Sequence, residues 1–253
     1  MNPYLDVALE AAEAARAEIL RYYPGHIDVE LKADQTPVTV ADRRAEEIIR
    51  AHLRAAFPDH GIFGEELGRQ DRGEYLWLID PIDGTKSFVR RYGMFSTQIA
   101  LMRGDRLIVG VSSAPARGEL AWAARGEGAW LNGERIAVSD IDALGRAAVS
   151  TGNIGSLARS ARWGALGEVM GRADRTRGYG DYYHYHRLAA GQIEAVIESD
   201  VNILDVAALS VIVEEAGGVF TDLDGRPPGL ETRSVLAANP ALHGKLLALF
   251  NPA

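Results

Sequence analysis

The chain has 253 residues, with 27 Lys+Arg against 35 Asp+Glu for a formal charge of −8; 47% of its residues are apolar and 25% charged. That balance is ordinary for a soluble globular protein and excludes disordered and fibrous classes, and a chain this long buries roughly three quarters of its unfolded surface in about one or two domains. Cysteine is absent, which removes disulfide scaffolds, thiol nucleophiles, iron–sulfur clusters and cysteine-bound zinc.

The acidic excess repels polyanions on average, so neither nucleic acid nor an anionic membrane is an expected partner. A phosphorylated small molecule is still admitted if a local cation offsets the acidity. Asp6, Glu10 and Glu13 precede the first basic residue, Arg16, the reverse of a secretory leader. Apolar stretches fall short of the ~20 residues a membrane span needs. The expectation is a soluble, cytoplasmic protein.

In chain order, Leu5, Leu9, Ala12, Ile19 and Leu20 share one face of a helix over Leu5–Tyr22, which Pro24-Gly25 ends. After a polar loop around Lys32–Gln35, a second helix runs from Ala41 to Ala56. Thr39 followed three residues later by Asp42 resembles a capping box, and Ile48, Ile49 and Leu53 supply its buried stripe. Tyr75–Ile79 reads as a buried strand. Thr97–Met102, Leu107–Ser112 and Leu120–Ala124, separated by Gly- and Pro-containing turns, read as an antiparallel meander.

Beyond Asn132 the elements alternate: strand Ala148–Ser150, helices at Leu157–Met170 and Tyr183–Ala190, strand Ile193–Ile197, helix Asp205–Ala216, strands Gly218–Thr221 and Ser234–Ala237, helix Ala241–Phe250. Such alternation predicts layered α/β packing. Without repeats or a linker, residues 1–253 are expected to form a single domain. Its N-terminal α+β half is 1–140 and its C-terminal α/β half 141–253.

Three carboxylate groups lie beside apolar elements: Gly64-Glu65-Glu66, Asp80-Pro81-Ile82-Asp83-Gly84-Thr85, and Asp205 ahead of Glu214-Glu215-Ala216-Gly217-Gly218. Separately each has a plainer explanation, as a solvated pair, a turn and a helix cap. Together they suit a hard cation, because Mg²⁺ takes oxygen ligands and keeps several waters. Asp80 directly follows a buried strand, where a carboxylate is costly unless hydrogen-bonded, paired or on a metal. A turn forced by Pro81 would let Asp80 and Asp83 face one point with the Ile82 carbonyl between them.

Trp77-Leu78-Ile79-Asp80-Pro81-Ile82-Asp83-Gly84-Thr85, with Gly64-Glu65-Glu66 upstream and Asp205-Val206-Ala207-Ala208 and Glu215-Ala216-Gly217-Gly218 downstream, resembles the signature of the inositol monophosphatase superfamily of Mg²⁺-dependent, lithium-sensitive phosphatases. The resemblance runs from Lys32 to about Asn239. It implies a five-layered αβαβα sandwich, usually a homodimer, and hydrolysis of a phosphate monoester by metal-activated water. It further implies that Glu65, Asp80 and the Ile82 carbonyl hold a first Mg²⁺, with Asp80 bridging to a second held by Asp83 and Asp205. Asp42 would order waters near the metals and help a third ion. Thr85 and Glu65 would orient and deprotonate the attacking water, while Asp83 and the Gly84 and Thr85 amides meet the phosphate.

Thr85-Lys86-Ser87-Phe88-Val89-Arg90 and Gly178-Tyr179-Gly180-Asp181-Tyr182-Tyr183 resemble the histidinol-phosphate phosphatase branch of that superfamily. Asp181 and Glu198 would then contact the cationic organic part of the substrate; Asp181 taken alone reads as a helix cap. Arg91 stands where the branch has Gly, and Leu204 where the superfamily often has Trp. The alternatives are inositol monophosphate or another sugar phosphate as substrate, and a regulatory binding protein on the same fold. The last would have lost motif carboxylates or carry a basic surface, and this chain does neither. His184 and His186, inside an aromatic run, read as packing residues.

Overall fold

The computed structural model describes residues 2–23, 29–31 and 37–252. The Lys32–Gln35 loop and the Pro24-Gly25 helix stop lie outside the described residues. Helix α1 (Pro3–Tyr22) starts where the Asn2 side chain accepts from the Tyr4 and Leu5 amides, with Pro3 in its first turn. A short antiparallel pair, β1 (Val29–Leu31) and β2 (Pro37–Thr39), leads into α2 (Val40–Ala56). The expected capping box is present there, Thr39 and Asp42 bonding each other's backbone. Ile49 and Leu53 are buried, but so are Glu46 and Arg50, which no apolar stripe predicts.

Next come β3 (Gly61–Gly64), β4 (Gly68–Gln70), β5 (Tyr75–Asp83), the five-residue α3 (Thr85–Val89), β6 (Ser96–Arg103), β7 (Arg106–Ala114), β8 (Glu119–Ala124), β9 (Gly128–Leu131) and β10 (Glu134–Ile136). They form one sheet in the order β10-β9-β8-β7-β6-β5-β3-β4, antiparallel except where β3 runs parallel to β5. The meander is therefore real and longer than expected, with β3, β4, β9 and β10 added. The second half holds β11 (Ala148–Thr151), α4 (Gly155–Ala158), α5 (Trp163–Arg172), β12 (Arg175–Arg177), α6 (Asp181–Ala189), β13 (Ala195–Ser199), α7 (Ile203–Glu215), β14 (Val219–Thr221), β15 (Ser234–Ala238) and α8 (Pro240–Phe250). Its sheet runs β12-β11-β13-β15-β14.

The single helix expected over Leu157–Met170 is two. Between them the Ser160 hydroxyl donates to the Leu157 carbonyl at 2.8 Å and accepts from the Arg162 amide at 3.2 Å. A side chain offering the backbone these partners competes with the helical ladder.

Strand alternation sorts the side chains into layers. Trp77, Ile79, Ile99 and Leu101 pack under α1 and α2, whereas Leu78, Ala100 and Met102 point to the opposite face, against α6 and α7. In the second sheet Val196, Val235 and Ala237 face α6 and α7, while Ala195, Ile197, Leu236 and Ala238 face α5 and α8. The result is the αβαβα sandwich. Helix α7 lies between two sheets, so its sequence is apolar nearly all round, as a helix buried on every side requires. It sits so close to β7 that a Cβ on Gly110 would lie 2.3 Å from the Ala208 carbonyl oxygen.

Candidate active site

The carboxyl ends of β3, β5, β11 and β13 and the heads of α2, α3, α6 and α7 meet at one cleft. Its floor is the end of β5. Asp80 pairs with Gln98 and Asp83 with Ser96 across β6, so β5 spends one residue more than its neighbour between those pairs. That is a β-bulge, and it corrects the expected turn: Pro81 sits in a strand that continues through Asp83. In a regular strand, residues three apart point to opposite faces; the extra residue returns both acids to one side. The Thr97 hydroxyl holds the Pro81 carbonyl at 2.8 Å, and Asp80 Oδ1 accepts from the Ile82 amide at 3.0 Å.

Asp205 comes from the head of α7. Asn202 is the N-cap, and Asp205 is the third helical residue, accepting from the Asn202 amide at 2.9 Å and from Asn202 Nδ2 at 2.6 Å. Asp80, Asp83 and Asp205 each offer an oxygen, all within 4.8 Å of one another. Glu65, on the turn after β3, anchors its amide on the Ile79 carbonyl at 3.1 Å and meets the Asp80 carboxyl. Asp42 is fully buried; Thr39 binds its Oδ2 at 2.8 Å through the amide and at 2.5 Å through the hydroxyl. The Thr85 hydroxyl lies 3.4 Å from Asp42 Oδ1 and 3.1 Å from the Ile82 carbonyl, so its one proton has two acceptors. Gly84 has φ +85, and a Cβ there would lie 2.6 Å from the Met94 carbonyl, so only glycine fits.

Crowding makes these acids reluctant to ionise. Burial first, then Glu65, Asp83 and Asp205, raises Asp80 well above the usual carboxylate range. Burial, then Asp181 and Asp205, does the same to Asp83. Burial pushes Asp205 up to about 7 against the hydrogen bonds from Asn202, and Asp42 up to about 6 against those from Thr39. The donors are hard oxygens without sulfur or imidazole among them, which suits Mg²⁺.

At the α6 end of the cleft, beside Asp83, Asp181 opens α6 with φ +48 after the N-cap Gly180. Burial, then Glu198, pushes it up to about 6. Glu198 also lines this end but is held from all sides. Its Oε2 takes the Tyr185 hydroxyl at 2.7 Å and lies 3.2 Å from His184 Nε2; its Oε1 takes the Asn153 amide at 2.9 Å. Burial opposes its charge, but His184, the Asn153 amide and Tyr185 outweigh it and hold Glu198 below its ordinary range. His184 braces Glu198, and His186 is buried between Ser112 at 2.9 Å and Glu119 at 3.1 Å.

All the sequence-predicted site residues thus border one cavity of about 200 Å³ or touch a residue that does. Asn153 lines it as well; no sequence signal marks a lone Asn after a short strand. Lys86 is a cation on the same lining, the local offset that a phosphate requires.

The family described as "Inositol monophosphatase family" matches residues 1–253. The chain belongs to this family. It is therefore a phosphatase, a phosphoric monoester hydrolase, of a family that is metal-dependent, generally on Mg²⁺. A histidinol-phosphatase from Streptomyces coelicolor is 38% identical to this phosphatase, over 99% of each chain. A fructose-1,6-bisphosphatase/inositol-1-monophosphatase from Aquifex aeolicus is 34% identical, over 98% of this chain and 95% of its own. Among solved structures, the extragenic suppressor protein suhB from Bartonella henselae superposes with a TM-score of 0.91 at 29% identity, with full coverage of both chains. No described helix of this phosphatase is long and apolar enough to cross a membrane.

Proposed function

We propose that this phosphatase hydrolyses L-histidinol phosphate to L-histidinol and phosphate. The observation that carries the substrate is the further pair of acids, Asp181 beside Glu198, which line the cleft next to Asp83 and Asp205. Acids beyond the proposed metal ligands suit a substrate that carries an ammonium and an imidazole besides its phosphate. The Streptomyces relative supports this by its name.

In this reading Glu65, Asp80 and the Ile82 carbonyl would hold one Mg²⁺, and Asp80, Asp83 and Asp205 would hold a second, with Asp42 ordering water for a third. Bound Mg²⁺ would neutralise phosphate charge and acidify a water toward neutral pH. Thr85, its proton committed to Asp42 or the Ile82 carbonyl, presents a lone pair to the attacking water, and Glu65 receives that water's proton. Asp83 and the Gly84 and Thr85 amides meet the phosphate. The new P–O bond forms from water as the ester P–O bond breaks, and the leaving oxygen takes a proton from solvent. Asp181 meets the cationic end directly, while Glu198 positions the Asn153 loop beside it. We take the chain to act as one domain, as a cytoplasmic, lithium-sensitive homodimer; sedimentation and lithium titration test the last two points.

Inositol 1-phosphate is the second reading, favoured by the name of the Aquifex relative and by Arg91, which departs from the histidinol-phosphate branch. Phosphate release with Mg²⁺ from L-histidinol phosphate, inositol 1-phosphate and fructose 1,6-bisphosphate decides between them. The expected result is the highest kcat/KM on histidinol phosphate; a clear preference for inositol 1-phosphate overturns the proposal.

A further inference from the structure

Helix α2 carries a second buried device one turn beyond Asp42. Glu46 is wholly buried and Arg50 nearly so, and they form an i, i+4 pair at 2.7 Å from Nε to Oε1. The Glu46 carboxylate also accepts from two backbone amides of the turn after β3, Glu66 N on Oε2 at 2.7 Å and Leu67 N on Oε1 at 3.2 Å. The Arg50 Nη2 donates to the Gly68 carbonyl of the same turn. Gly64 has no side chain where one would collide: a Cβ there would lie 1.9 Å from Glu46 Oε1.

A buried ion pair is a poor way to glue a helix to a sheet, since well-packed apolar side chains of similar volume do as well or better. What apolar side chains cannot do is receive two amides and cap a carbonyl in a turn. With the Glu65 amide on the Ile79 carbonyl, residues 65–68 are pinned at four backbone points. Three of those points belong to this pair.

We propose that Glu46 and Arg50 are positioning residues that fix the Glu65 carboxylate toward the Asp80–Asp83–Asp205 cluster. The proposal rests on Glu65 being a metal ligand. Outer partners of ligands commonly change metal affinity by about 10–100-fold when removed.

The test is Mn²⁺ binding to chelator-treated protein by calorimetry, with melting temperature measured alongside. Glu46→Gln should weaken Mn²⁺ about tenfold or more and speed amide exchange at Glu66 and Leu67. Leu53→Val, which loosens the core on the same helix without touching the turn, should lower the melting temperature and leave Mn²⁺ affinity within about twofold. If Glu46→Gln fails to fold, Arg50→Met stands in for it, with Arg50→Lys expected to recover part of the lost affinity. Wild-type Mn²⁺ affinity in Glu46→Gln, or losses in Glu46→Gln and Leu53→Val that track melting temperature alike, overturns the positioning role. Wild-type Mn²⁺ affinity in Glu65→Gln would instead overturn the ligand assignment beneath it.

Discussion

Replacing Asp205 by Asn should stabilise the metal-free protein in alkali and destabilise it in acid. Asp205 titrates near 7 in the fold against an ordinary 3.8, chiefly through burial. The gap of about 3 pH units, at 1.36 kcal/mol each, is about 4 kcal/mol. Because the folded value is the raised one, the relative stability is intact below pH 3.8 and is lost as pH climbs to about 7. Asn cannot ionise and escapes that loss. It must, however, surrender one of the two Asn202 hydrogen bonds, about 1–2 kcal/mol. The net is a gain of about 2 kcal/mol above pH 8 and a loss of about 1–2 kcal/mol near pH 4. For a chain of this size each kcal/mol moves Tm by about 2–4 °C, so calorimetry in a chelator should show Asp205→Asn melting about 4–8 °C higher at pH 8.5 and lower at pH 4. Saturating Mg²⁺ should reverse the order at pH 8.5, since a ligand at 100 Kd adds about 2.7 kcal/mol to whichever protein binds it. A variant that melts below wild type by the same amount at both pH values, without metal, refutes the account.

Asp83→Asn should lower turnover at least about 100-fold with the far-ultraviolet spectrum unchanged, and near-normal turnover would contradict its place in the site. Asp181→Asn keeps a residue tolerated at φ +48 while removing the charge. It should raise KM for L-histidinol phosphate about tenfold or more, one charge-assisted hydrogen bond being worth about 1.5–3 kcal/mol, and spare a neutral ester; equal losses on both would mark it as structural. Gly110→Ala drives a Cβ to 2.3 Å from the Ala208 carbonyl and should cost about 1–3 kcal/mol in urea unfolding, whereas an unchanged midpoint would mean that α7 and β7 have room to part.

The metal-type acids were legible because each lies beside an apolar element, and because Glu65, Asp80, Asp83 and Asp205 stand in the order of the family signature that the sequence resembles. How they converge was not. Asp80 and Asp83 meet through a bulge that depends on pairing with Gln98 and Ser96, residues fifteen or so positions away whose register no local pattern reveals. Asp181 had a cap-like position, but the cap is the Gly180 backbone, and the acid faces the cleft instead. Glu46 and Arg50 carried no signal in the sequence, since amphipathic spacing cannot tell a buried ion pair from a solvated one. Strands as short as β4, β10 and β12, three residues each, carry too few positions for alternation to register. Alternation of elements gave layered packing in the second half and the family resemblance implied the layer order, while α7's passage between two sheets was foreshadowed only by its lack of a polar face.

Asp42 and Asp205 also show that cap and ligand are not competing roles for one carboxylate. Both sit at the third position of a helix behind a capping box, and both have an oxygen bound to the backbone amide of their N-cap, Thr39 or Asn202. A capping bond fixes the rotamer, and a fixed rotamer aims the remaining lone pairs at one place. The cap therefore does for these two acids what Glu46 and Arg50 do for the turn of Glu65: it holds a charge in a position where burial alone would favour its turning away or taking up a proton. Three positioning devices, two caps and one buried ion pair, surround a β-bulge; the ion pair and one cap share α2, and the other cap heads α7. A cation entering the cleft would thus tie the head of α2, the β3 turn, the end of β5 and the head of α7 together, and would offset the burial and mutual repulsion that weaken the metal-free protein at alkaline pH.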